Sequence, residues 1–182
     1  ASVRAEIDRE FAKLYKIIPD NIVGFEQASM QELVHNRLIE RKQTLAVAES
    51  CTGGAIASLF TAQAGASQYF LCGVVSYSNE AKANVLGVNP GDIAEYGAVS
   101  EQVARQMAEG VRRVAHSDYA ISTTGIAGPT GGTPEKPVGT VWIGVATPEG
   151  TIALLRDCGT DRSQVISRAS AYAIELLYKQ LH

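Results

Sequence analysis

Apolar residues recur along this chain at two spacings, three to four residues and two residues, and the places where one gives way to the other mark its elements. Ile7, Phe11, Leu14 and Ile18 share one face of a helix that Pro19 ends. Residues 21–28 read as a linker, and Ser29 caps a second helix with Leu33, Val34 and Leu38 on its buried face. From Thr44 onward strand and helix patterns alternate. Strand Leu45–Ala48 leads to a helix after Thr52, and strand Phe70–Ser76 leads to a short helix near Asn79–Leu86. Pro90 opens a further helical turn, and a long helix runs from Ser100-Glu101 to about His116. Strand Tyr119–Thr123 enters a glycine- and proline-rich loop, residues 125–139. Strands Thr140–Ala146 and Ile152–Arg156 flank Pro148-Glu149-Gly150 as a hairpin. Asp161 caps a final helix that turns Val165, Ile166, Ala169, Ala173 and Leu176 or Leu177 inward.

This alternation predicts an α/β fold with helices on both faces of a mixed, mostly parallel sheet, the hairpin adding an antiparallel edge. The chain divides into an N-terminal helix and linker, residues 1–28, and one domain, residues 29–182. Composition narrows the function classes. With 46% hydrophobic residues in 182, the chain can bury a substantial core. The formal net charge is −3 and basic pairs such as Arg41-Lys42 and Arg112-Arg113 are scattered, so no electrostatic footprint for nucleic acid is present. Neither a membrane span nor a signal peptide is legible, and a cytoplasmic protein is expected. Cys51, Cys72 and Cys158 are far apart, with no CxxC pair and no histidine nearby, so neither zinc nor a disulfide framework is expected.

Candidate chemistry clusters at three predicted strand ends, where open α/β sheets bind ligands. After the first come Glu49, Ser50, Cys51, Thr52, Gly53 and Gly54; after the second, Ser76, Tyr77, Ser78, Asn79 and Lys82; after the strand at Tyr119–Thr123, Thr124, Gly125 and the long loop. Taken singly each residue has a plain alternative. Ser50 or Thr52 could cap the next helix, Gly53 and Gly54 could permit a tight crossing, and Lys82 could be a solvated surface side chain. Ser50 therefore stands as nucleophile, phosphate ligand or helix cap. The P-loop, GxGxxG, HExxH and GxSxG patterns are absent, which leaves a serine whose base could be a lysine of depressed pKa.

Five stretches carry a family resemblance: Ala48-Glu49-Ser50-Cys51-Thr52-Gly53-Gly54, Val75-Ser76-Tyr77-Ser78-Asn79 with Lys82, Gly97-Ala98-Val99-Ser100, Gly125-Ile126-Ala127-Gly128-Pro129, and Lys136-Pro137-Val138-Gly139-Thr140-Val141. In this order they resemble the CinA C-terminal domain, also known alone as the PncC nicotinamide-nucleotide amidase family. The resemblance spans about Leu33 to Leu181 and implies a three-layer α/β/α sandwich. It also implies a metal-independent, cofactor-free amidohydrolase converting nicotinamide mononucleotide to nicotinate mononucleotide and ammonia.

By the same resemblance Ser50 is the nucleophile, Lys82 its base and Tyr77 an associated tyrosine. The backbone amides of Cys51, Thr52, Gly53 and Gly54 would stabilise an oxyanion. Asn79, Thr124, Gly125, Gly139, Thr140 and Arg162 would hold the nucleotide. The first 28 residues resemble the tail of a preceding region, as in a fragment of a longer chain. A homodimer through the N-terminal helices or an exposed sheet edge is expected. The alternative function is a non-catalytic nucleotide-binding or interaction module serving competence or damage responses.

Overall fold

The computed structural model describes residues 3–17 and 29–181. Helix α1, Val3–Ile17, has its described side chains exposed. Its predicted end at Pro19 and the linker 21–28 lie outside the described residues. Helix α2, Met30–Arg41, begins at the predicted cap: Ser29 accepts from the Glu32 amide while the Glu32 carboxylate accepts from Ser29, a reciprocal capping box.

A five-stranded mixed sheet of order β2-β1-β3-β4-β5 follows, made of β1 (Leu45–Glu49), β2 (Phe70–Val75), β3 (Tyr119–Gly125), β4 (Thr140–Ala146) and β5 (Thr151–Asp157). β1 pairs in parallel with β2 and with β3, while β4 runs antiparallel to β3 and to β5. Thus β4 alone opposes the other four, in line with the predicted antiparallel hairpin. β1 is buried along its whole length because both faces of the sheet are covered. Leu45 and Val47 join Ile121, Ile143 and Val145 in a core under α2, α3 (Ala55–Thr61) and α7 (Arg162–Tyr178). Ala46 and Ala48 face the other way, toward Leu86 of α4 (Asn79–Leu86) and Val103, Met107 and Val111 of α6 (Glu101–Ala115). Alternation of large and small residues in β1 thus builds two cores, one on each side of the sheet, and gives the three-layer sandwich.

Helix α5, Pro90–Tyr96, starts at Asn89 with proline in its first turn, where a missing N–H costs nothing. Strands β1, β2 and β5 end within one residue of the sequence pattern, and two boundaries differ by more. β3 continues to Gly125, held there by pairing with Val141 of β4. The helix after Thr52 begins only at Ala55, behind Gly54 in the left-handed region. Since β1 sits between β2 and β3, the chain leaves it to one side and later returns on the other. The crevice of such a switch point opens at the carboxyl ends of β1 and β3. Among the described residues no helix is long and apolar enough to cross a membrane.

Candidate active site

The crevice at those strand ends holds a cleft of about 360 Å³ lined by Ser50, Cys51, Tyr77, Asn79, Lys82, Thr124, Gly125 and Arg162, with Ala98, Val99 and part of the 125–139 loop. Ser50 follows β1 directly, and its amide donates to the Thr123 carbonyl at 3.0 Å. Lys82 comes from α4, whose cap Ser78 accepts from the Ala81 amide. This lysine is only 1% exposed, against the solvated reading of the sequence. Its Nζ lies 3.0 Å from Ser50 Oγ, 2.9 Å from the Ser76 carbonyl and 3.4 Å from the Tyr77 carbonyl. The ion pairs of the described residues lie elsewhere, so no carboxylate holds the ammonium form. Burial lowers the Lys82 pKa. In the neutral form two N–H groups serve the two carbonyls and the lone pair faces the Ser50 hydroxyl. That arrangement suits a general base.

Cys51 lines the same cleft, but burial, with a smaller contribution from Cys158, pushes its thiol up to about 12. It is a poor nucleophile beside Ser50, because only the thiolate attacks.

Several predicted roles change. Neither Ser50 nor Thr52 caps α3. The Glu49 carboxylate, 1% exposed, accepts from the amides of Gly54 at 3.0 Å, Ile56 at 3.1 Å and Ala57 at 2.8 Å. Thr52 instead shares a 2.7 Å hydrogen bond with the Thr123 hydroxyl inside the protein. The Gly53 amide donates to the Ser50 carbonyl, so with Gly54 engaged by Glu49 neither glycine amide is free for an oxyanion. Cys51 lines the cleft, and no other described residue accepts from its amide.

Gly139 and Thr140 do not line the cleft; their amides donate to Ile126 and Pro137 and close the long loop. Gly139 is glycine for a steric reason, since a Cβ there would sit 2.0 Å from the Gly159 carbonyl at φ +96. Tyr77 also shifts in role. Its hydroxyl, on a residue 60% exposed, accepts from Arg162 at 3.1 Å and is bonded to neither Ser50 nor Lys82, which meets only the Tyr77 carbonyl. The Lys82–Ser50 contact is direct and does not run through the Tyr77 hydroxyl.

Arg162 is the first residue of α7, beside the cap Asp161, and its other terminal nitrogen donates to the Gly128 carbonyl at 2.8 Å. These two acceptors are the compensation that a cation at a helix N-terminus requires. Thr124 donates to the Ala98 carbonyl at 2.7 Å, which draws the 97–100 turn to the cleft wall. Lys136 of the loop donates to the Tyr96 and Val99 carbonyls and fixes the same turn from the other side. Sequence reasoning assigned no role to Glu49. The available signal was an acidic residue ending a buried strand shortly before a helix start.

A family model described as the CinA C-terminal domain matches residues 27–181. A CinA-like protein of Anaeromyxobacter dehalogenans is 47% identical over 177 residues, covering 97% of this chain and 43% of the relative. A CinA-like protein of Flavobacterium psychrophilum is 44% identical over 180 residues, covering 98% of this chain and 43% of the relative. The chain thus spans less than half the length of these relatives. Among solved structures, the competence damage-inducible protein A of Klebsiella pneumoniae superposes with a TM-score of 0.81 at 38% identity, covering 84% of this chain and 94% of that one.

Proposed function

We propose, for a chain that belongs to the CinA C-terminal domain family, that it is a serine–lysine amidohydrolase acting on nicotinamide mononucleotide. The observation that carries this reading is the Lys82 amine, buried, without a carboxylate partner among the described residues and 3.0 Å from Ser50 Oγ in an open cleft. Lys82 takes the Ser50 proton, and Ser50 Oγ attacks the carboxamide carbon. The Cys51 amide receives the oxyanion, a kind of contact worth about 3 kcal/mol when well placed. Lys82 returns the proton to the leaving nitrogen, ammonia departs, and an acyl ester on Ser50 remains. Lys82 then deprotonates a water that releases nicotinate mononucleotide. The pyridinium charge of the substrate withdraws electrons from the carbonyl, and Arg162 supplies paired N–H donors for the phosphate.

Incubating the protein with nicotinamide mononucleotide should yield equal amounts of ammonia and nicotinate mononucleotide. Ser50→Ala and Lys82→Ala should each lower kcat by at least about a thousandfold while circular dichroism stays unchanged. Turnover near wild type in either variant ends the serine–lysine reading. Binding of the nucleotide without product in the wild type would favour a non-catalytic binding module.

A further inference from the structure

Outside the Ser50–Lys82 pair, the Glu49 carboxylate is a charged group buried at the same strand end. It ends β1, is buried, and engages the Gly54, Ile56 and Ala57 amides. A buried carboxylate is tolerated only when donors replace its water, and three amides do so here. The backbone of the same residue reaches the other half of the pair. The Glu49 carbonyl accepts from the Ser76 amide at 2.8 Å, and the Ser76 carbonyl accepts from Lys82 Nζ at 2.9 Å. Glu49 therefore fastens the turn that carries the Ser50 hydroxyl through its side chain, and the carbonyl that steadies Lys82 through its backbone.

We propose that Glu49 is the positioning residue of the serine–lysine pair, and that by occupying the α3 amides it leaves recognition of a substrate's anionic group to Arg162. The inference rests on Ser50 being the nucleophile. Two side chains separate its parts. Glutamine keeps the length of Glu49 but points an amide nitrogen at N–H donors. Aspartate keeps the charge but is one methylene too short to span Gly54, Ile56 and Ala57 together.

The test uses the whole chain with Glu49→Gln and Glu49→Asp. A fluorophosphonate probe reads the reactivity of Ser50 without any amide substrate, with Ser50→Ala as the blank, and hydrolysis of nicotinamide mononucleotide gives kcat and KM separately. In the Gln variant labelling rate and kcat should fall together by about a hundredfold, the loss expected from a misplacement of roughly 1 Å. KM should stay within about threefold, because Arg162 is untouched. The Asp variant should fall between, and it decides the matter if the Gln variant does not fold. Amide exchange at Gly54, Ile56 and Ala57 should speed up in both. Labelling at the wild-type rate in the folded variants overturns the positioning role while leaving Ser50 as nucleophile. A loss carried by KM alone overturns it too, since Glu49 would then be acting on the ligand. A wild-type chain that neither labels at Ser50 nor releases ammonia removes both readings together.

Discussion

Lys82 Nζ meets three oxygens, and once neutral, with two hydrogens and one lone pair, it can serve the two carbonyls and accept from Ser50. Its lowered pKa has a consequence for stability whose sign can be worked out. Between that lowered value and the ordinary lysine value of about 10.4, the unfolded chain binds a proton at this position that the folded chain does not. Stability therefore rises with pH across that window, by at most about 1.4 kcal/mol per pH unit, and reaches its full value above the ordinary lysine pKa. Urea unfolding over a pH series should show this increment in the wild type and not in Lys82→Met. Hydrolysis should weaken on the acid side as the amine becomes protonated. Nothing local in the sequence announced this lysine as buried: its partners are backbone carbonyls of a strand end, which a residue pattern does not display. Ser50 and Tyr77 were legible as strand-end residues, yet only the folded chain shows which of them reaches Lys82.

Elements were easier to read than the joints between them. The β1 pattern of Leu45, Ala46, Val47 and Ala48 announced a strand buried on both faces, and Ser29, Ser100 and Asp161 announced helix starts that the structure has. The 125–139 loop was legible as an exception because of its length, but the use of its glycines was not. Gly139 resembled a ligand-binding glycine and is instead a packing glycine against Gly159. Gly139→Ala should lower stability by more than about 1 kcal/mol, because both the positive φ and the contact resist a Cβ. It should also disorder the cleft wall formed by Ile126 and Gly128. Thermal unfolding and KM check the two effects; an unchanged melting temperature would mean that the loop closes in another way.

At the scale of the molecule, one sheet separates two cores, and each is built from alternate residues of the same strands. Ile121, fully buried under α7, should cost about 2–5 kcal/mol when replaced by alanine. Chemical denaturation followed by probes on either face should then give a single, earlier transition, since the two cores share their strands. The mouth of the cleft is shared in a similar way. The guanidinium of Arg162 belongs to α7, yet it holds the loop at Gly128 and the β2–α4 connection at Tyr77. On the proposed function, an anion arriving at Arg162 would not meet a vacant cation; it would compete with a carbonyl and a phenol that are already seated. Recognition there would be an exchange reaction, and the affinity measured would be the difference between two sets of bonds. A guest that displaced only the phenol would leave the loop moored at Gly128 and release the ring of Tyr77, so that binding itself would reshape the doorway.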